Sequence, residues 1–426
     1  MMPSQQNPSS RIVGLAIFIL FGTAIAAQAQ RFTVLHTFSG PGDGALPGAL
    51  MLDRSGNLYG VASQGGQGNN GTAFELKHQA SGWVFNLLYE FQGGYDGLRP
   101  NSSLVFGPDG ALYGATAQGG IGQCGDGGTL TCGMVYRLTP PANSCKTALC
   151  SWNETVLYRF TGGNDGGVPG QIVFDQVGNI YGPTLLGGQY DDCSGYHCGT
   201  VFEMSPSGSG WTERALYSFE GGSRDGYWPD GNLVFDQDGN IYGTTEQGGV
   251  QFQGTVYQLT PYGSGWSEQM IYQFTDGISG QLPTGLLEDA AGNLYGTTFT
   301  GGAGGCGTAF KLTPSNGSWS FSILYSFYGG AGACGPSAGL VMDAAGSLYG
   351  TTSRTGAYGE GVVFKLTPSG DGWTYTSLHD FTGGSDGYSP GALVLDANGN
   401  IYGDTAFGAG GFCNGFGCGA VWEITP

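Results

Sequence analysis

Gly56-Asn57-Leu58-Tyr59-Gly60 recurs in close copies at 110–114, 178–182, 239–243, 292–296, 346–350 and 399–403. The seven tyrosines of these blocks are Tyr59, Tyr113, Tyr181, Tyr242, Tyr295, Tyr349 and Tyr402, spaced 53 to 68 residues apart. That is the period of one supersecondary unit repeated. Each unit holds four short apolar segments separated by Gly, Pro, Asp, Asn or Ser, the strand-and-turn pattern of an all-β fold. In the fourth unit they are 232–236, 240–245, 254–260 and 266–274. Between the first two runs Asp-x-x-Gly-Asn, as at 236–240, 175–179 and 396–400. An aspartate that bonds the backbone and a glycine that admits positive φ make this a hairpin turn. It resembles a calcium loop only faintly, because the rest of the twelve-residue pattern is missing.

Two further markers keep the register. Trp83, Trp152, Trp211, Trp266, Trp319 and Trp373 each open a fourth segment, and their regularity points to packing rather than to a binding platform. Pro47, Pro100, Pro169, Pro229, Pro283, Pro336 and Pro390 each precede a first segment, where a strand start needs no ladder donor.

The ends decide how the units are arranged. Residues 32–38 form a fourth strand with no unit before it, and 419–425 form a third strand with no fourth after it. Pairing these two completes a unit and removes an exposed edge. The fold expected is therefore a seven-bladed β-propeller of four-stranded blades over 30–426, closed by strand 32–38 against strand 419–425. An open solenoid would want polar capping repeats, and none is seen.

Residues 1–29 read as a secretory signal peptide: Arg11, an apolar run from Ile12 to Ala27, and a small-residue cleavage site at Ala27-Gln28-Ala29. The run is short for a membrane anchor. Without it the chain carries 12 Lys plus Arg against 32 Asp plus Glu, a net charge of −20. Such a balance opposes nucleic-acid or anionic-membrane binding. A monomer, secreted, periplasmic or at the cell surface, is expected.

Ten cysteines in an exported chain suggest disulfides. Cys124 with Cys132, Cys145 with Cys150, Cys193 with Cys198, and Cys413 with Cys418 are close pairs, each worth about 2–3 kcal/mol if unstrained. Cys306 and Cys334 remain, and the strand order brings them to one face. Zinc lacks its paired C-x-x-C ligands here. No cofactor motif appears, structural calcium being the one weak option.

The blocks at 292–298 (Gly-Asn-Leu-Tyr-Gly-Thr-Thr), 307–314 (Gly-Thr-Ala-Phe-Lys-Leu-Thr-Pro) and 323–327 (Ile-Leu-Tyr-Ser-Phe) resemble the GloVer tandem-repeat family of exported bacterial proteins. The resemblance covers about residues 32–426. It implies a secreted repeat protein and brings no catalytic residues with it.

Variation between units concentrates on the face shared by the two-to-three and four-to-one loops, the usual place for function on a rigid ring. The four-to-one loops carry Asp43, Asp96, Asp165, Asp225 and Asp386, an arc with a gap. One reading is a cation or polyol site flanked by Tyr95, Tyr227, Trp228 and Tyr388. The plainer one, which carries more weight, is that Asp-Gly is simply the turn. Catalytic signatures fail on context: the G-x-S-x-G at 383–387 has no strand-to-helix elbow, and the G-x-G-x-x-G at 66–71 leads into a strand. His36 and His379 replace the tyrosine of a Leu-Tyr-x-Phe segment and read as packing variants. Two functions result: a binding protein for an extracytoplasmic carbohydrate or protein, or a glycan-active hydrolase or lyase with acids such as Asp165 and Asp225 at the channel mouth.

Overall fold

The computed structural model describes residues 30–426 apart from 125–129, 142–150, 192, 194–196, 276, 330–333, 371, 412 and 414. The proposed signal segment and the Cys145–Cys150 pair lie outside the described residues. The rest is seven antiparallel sheets in a ring, with no α-helix among the described residues. Blade four runs Gly226–Phe235, Ile241–Gly248, Thr255–Tyr262 and Gly265–Gln273, from the channel outwards. Blade seven is built from both ends of the chain: Arg31–Thr37 pairs with Ala420–Thr425, Phe32 opposite Ile424 and Val34 opposite Trp422. The closure expected from the phase of the termini is the one observed.

The recurring block has three jobs. Its turn is drawn tight by the preceding aspartate: Asp236 Oδ1 accepts the N–H of Asp238 and of Asn240 (both 2.9 Å). Its Oδ2 accepts from Asn240 Nδ2 (2.7 Å) and from the Tyr242 hydroxyl (3.0 Å). Tyr242 then meets Trp319 of the next blade edge to face, ring centroids 5.7 Å apart; Tyr113 with Trp211 and Tyr402 with Trp83 repeat the pair. The tryptophans are packing residues, as their spacing implied. The closing glycine is a seat: a Cβ on Gly243 would lie 2.3 Å from the Tyr257 hydroxyl. The rings so seated, Phe74, Tyr136, Phe202, Tyr257, Phe310, Phe364 and Trp422, are among the largest fully buried side chains.

Adjacent blades are clasped by a second repeated device. Trp228, just before Pro229, adopts φ 57°, and its N–H donates to the Cys198 carbonyl of the preceding blade (2.9 Å). Pro229 then rests on Gly199, where a Cβ would be 2.5 Å from the Pro229 Cδ. Leu46, Arg99, Val168, Leu282 and Ser389 do the same with φ of 55–56°. The prolines thus lie within the strand rather than opening it, as Gly226–Phe235 shows. The bend falls on the residue before each, a left-handed conformation costing a non-glycine residue roughly 1–3 kcal/mol. Blade six departs from this: Gly335 precedes Pro336, and its N–H donates to the Phe299 carbonyl (3.2 Å).

Two substitutions check the clasp from opposite sides. Gly199→Ala places a Cβ against Pro229 and the Thr184 carbonyl, and should lower stability in urea by about 2–3 kcal/mol. Arg99→Gly, at an exposed left-handed position, should raise it by up to about 1 kcal/mol through relief of strain. A loss at Arg99→Gly equal to that at Gly199→Ala would contradict the assignment of strain.

Candidate functional site

The two-to-three loop of each blade is bonded to the four-to-one loop entering it: Gly66 N–H to Gly40 O, Gly120 to Gly94, Gly188 to Gly163, Gly249 to Asp225 and Ala409 to Gly384. Together these loops make one continuous face around the channel. Among the described residues four disulfides hold it, Cys124–Cys132, Cys193–Cys198, Cys306–Cys334 and Cys413–Cys418. The connectivity agrees with the pairs expected. Disulfides in this number fit an extracytoplasmic compartment.

The five loop aspartates all turn back onto their own loops. Asp43 accepts from Ser39 N–H (2.9 Å) and His36 Nε2 (3.1 Å), and Asp96 from Gln92 N–H and the Tyr89 hydroxyl (both 2.5 Å). Asp165 accepts from Thr161 N–H (2.9 Å) and the Tyr158 hydroxyl (3.0 Å). Asp225 takes Glu220 N–H (2.7 Å) and the Tyr217 hydroxyl (2.9 Å). Asp386 takes Thr382 N–H (2.9 Å) and His379 Nε2 (3.2 Å). The partner seven or eight residues upstream is always the tyrosine or histidine of the fourth strand. His36 and His379 therefore hold the turn as tyrosine does, stacked on Phe85 (4.2 Å) and Phe32 (3.8 Å) respectively. At Asp43 burial is outweighed by bonds from His36 and Ser39, and its pKa lies below the ordinary value. At Asp225 burial prevails and raises it.

The four aromatic candidates divide. Tyr95 is 72% exposed, with the Arg159 guanidinium over its ring (5.9 Å). Tyr227 is buried against Trp228, which is half-buried. Tyr388 is stacked on Phe407 (5.2 Å). The loops and a strand end supply aromatics that spacing could not single out: Tyr328 (65% exposed), Tyr358 (63%) and Phe416 (61%), with Phe252 and Tyr190 exposed to a lesser degree. Ser385 lies in the turn next to Asp386, and 66–71 leads into the strand Thr72–Gln79. Neither has a helix behind it.

One pair of acids does meet at the channel mouth. Asp230 and Glu246 of blade four line a cavity of about 300 Å³ with Leu282, Pro283, Thr284, Phe299 and Ser337. Asp230 is exposed to solvent while the ring walls crowd around it, and both carboxyl pKa values are raised. Burial is the first cause for each; at Glu246, pushed up to about 7, the Asp230 charge adds to it. Other blades place Gly48, Asn101, Gly170, Thr284, Ser337 and Gly391 where Asp230 stands, and Ser63, Ala117, Leu185, Phe299, Ser353 and Ala406 where Glu246 stands. Aligning the seven units slot by slot would have exposed both as the only acids there. Asp404, 1% exposed in blade seven, is a third acid at a slot that holds Val61, Ala115, Pro183, Thr244, Thr297 and Thr351 elsewhere; burial pushes it up to about 8.

Behind the loop aspartates lie three half-buried glutamates. Glu154, Glu213 and Glu268 occupy the slot that Phe85, Phe321 and Tyr375 fill in blades one, five and six. Their Oε1 atoms are buried without a hydrogen-bond partner. Burial, then the charge of Asp96, Asp165 or Asp225, pushes them up to about 7, 7 and 8. A carboxyl whose folded pKa is raised binds its proton more tightly in the folded chain, so stability is fullest below the unfolded value and declines as pH rises. The melting temperature should therefore fall between about pH 5 and pH 8. Glu154→Gln/Glu213→Gln/Glu268→Gln should flatten that fall and raise the melting temperature at pH 8. His379, whose pKa burial lowers, works in the opposite sense. A wild-type profile level across this window would refute the assignment.

Comparison with known proteins follows the fold. The family model described as the Gloeobacter/Verrucomicrobia repeat matches residues 121–340 and 283–426. No curated protein matches the sequence. Among solved structures, virginiamycin B lyase from Staphylococcus aureus is similar at 13% identity and TM-score 0.55, over 93% of this chain and all of that one. The extracellular domain of a one-component system from B. thetaiotaomicron gives 12% and 0.53, over 91% of this chain and 39% of that one. PorZ, a surface component of the type-IX secretion system of Porphyromonas gingivalis, gives 14% and 0.52, over 86% and 46%. At these identities the likeness concerns the fold.

Proposed function

The chain belongs to the Gloeobacter/Verrucomicrobia repeat family, and we propose that it is an exported binding protein holding an extracytoplasmic carbohydrate or protein across its variable-loop face. Residues 1–29 serve as the signal that exports it. The observation that carries this reading is the number of exposed aromatics on that one face: Tyr95, Tyr190, Phe252, Tyr358 and Phe416 rise from its loops and Tyr328 ends the strand that leads into one, against Tyr262 and Phe106 on the opposite face. Aromatic side chains give large contact area at low entropic cost, the reason binding surfaces use them. Disulfides brace the same loops, which limits the ordering cost of binding. Asp43, Asp96, Asp165, Asp225 and Asp386 contribute by shaping the turns, and Tyr227, Trp228 and Tyr388 by supporting them.

A second reading, a glycan-active hydrolase or lyase, is favoured by one observation, the convergence of Asp230 and Glu246 on a single cavity with raised pKa values. Acid–base cleavage of a glycosidic bond uses such a pair, one protonated and one not.

A glycan array and pull-down on the mature chain, with a reducing-end assay on any glycan bound, separates the two. Tyr95→Ala/Tyr328→Ala/Tyr358→Ala should weaken binding by about tenfold or more, with Asp230→Asn/Glu246→Gln binding like the wild type. Reducing ends released by the wild type and not by Asp230→Asn/Glu246→Gln would establish the enzyme. Undiminished binding by the tyrosine variant would remove the loop face from consideration.

A further inference from the structure

The opposite face, formed by the one-to-two and three-to-four turns, has a break in its symmetry. On it the tyrosine of each recurring block is paired across the sheet with a third-strand residue: Glu75, Arg137, Glu203, Gln258, Lys311, Lys365 or Glu423. Where that residue is a cation it lies over the tyrosine ring, Arg137 on Tyr113 (6.0 Å), Lys311 on Tyr295 (5.2 Å) and Lys365 on Tyr349 (4.9 Å). In blade four Gln258 is too short and uncharged for that role. In blade three Glu203 is held by the Tyr181 hydroxyl (2.9 Å) and Arg214 (2.5 Å).

Beside these two tyrosines lie two open grooves. Between blades four and five a groove of about 630 Å³ is lined by Trp319, Phe235 and Tyr242, with Asp238, Glu288 and Gln176 at its polar wall. Between blades three and four another of about 500 Å³ runs past Trp266, Tyr181 and Val177. The 235–238 turn is a wall of both. The corresponding groove between blades two and three, where Arg137 lies over its tyrosine, holds about 340 Å³. All three fall in the roughly 300–1,000 Å³ range of small-molecule sites, and the two without the cation are the larger.

We infer that these two grooves form one extended subsite for an uncharged polysaccharide chain, separate from the variable-loop face. Three features of the lining select that ligand. A half-buried indole in each groove offers an apolar ring for a sugar face. Asp238, Glu288, Gln176 and Gln237 present acceptors for hydroxyl donors. Among the described residues no lysine or arginine lines either groove, so an anionic polymer meets repulsion there. The shared wall repeats the same chemistry one blade further on, which suits a chain of like units.

The test is tryptophan fluorescence titration of the mature chain with cellohexaose, xylohexaose and maltohexaose, with hexagalacturonate and hexalysine as charged controls. At least one uncharged hexamer should bind saturably. Gln258→Lys rebuilds over Tyr242 the cation that blades five and six carry in that slot, so the fold is kept and binding should weaken about tenfold or more. Asp238→Ala, at an exposed site, should weaken it as well, and Tyr95→Ala/Tyr328→Ala/Tyr358→Ala should leave it unchanged. The inference is overturned if no uncharged hexamer binds, if only a charged control binds, or if both groove variants bind like the wild type. None of these results bears on the loop face, whose own variants report on it separately.

Discussion

The ring is held by a contact of one proline on one glycine, made possible by a backbone bend just before the proline. The residue ahead of Pro229 turns into the left-handed region so that its N–H reaches the carbonyl of Cys198, and Pro229 drops onto Gly199. Proline can stand there because the neighbouring N–H already makes the inter-blade bond, and glycine must stand opposite because a side chain would fill the contact. The same clasp joins blade seven to blade one, through Leu46, Cys418, Pro47 and Gly419. Closure therefore has two parts, strand pairing within blade seven and a clasp beyond it. The strain at six non-glycine positions is tolerated because each belongs to an interface that gains a backbone hydrogen bond between blades.

Against this uniform frame, departures from the repeat carry the chemistry. Glutamates replace stacked aromatics at three successive interfaces and make the folded chain a better proton binder than the unfolded one. Asp230 and Glu246 bring charge to the channel in blade four alone among the slots they occupy. On the far face Gln258 and Glu203 stand where blades two, five and six carry a cation over the tyrosine ring. Blades three to five thus hold the channel acids and both large grooves, whereas blades six and seven keep the cationic lid or the aromatic stack.

Much of this was legible before any coordinates. The tyrosines counted the blades, the phase of Phe32 and Ile424 gave the closure, and the spacing of Cys124, Cys193 and Cys413 gave three disulfides directly. Strand order added the fourth, Cys306 with Cys334. These are local or periodic signals: a turn needs its aspartate within a few residues, and a repeat announces itself by recurring. The left-handed bends were hidden because Leu, Arg, Val, Trp and Ser occupy them, residues that carry no sign of positive φ. The pairing of Asp230 with Glu246 was hidden because they stand on different strands and neither belongs to a motif.

By itself the sequence determined a seven-bladed ring, its mode of closure, and the face on which its loops vary, since each follows from hydrophobic period and turn chemistry along the chain. Only the tertiary structure decided that the loop aspartates bond their own turns and that the histidines replace tyrosine in those bonds. It alone showed which acids share a cavity and which grooves stay open. The physical reason is that a carboxylate's role depends on which donors and charges surround it in space. Those neighbours come from other strands and other blades, whose approach no spacing along the chain records.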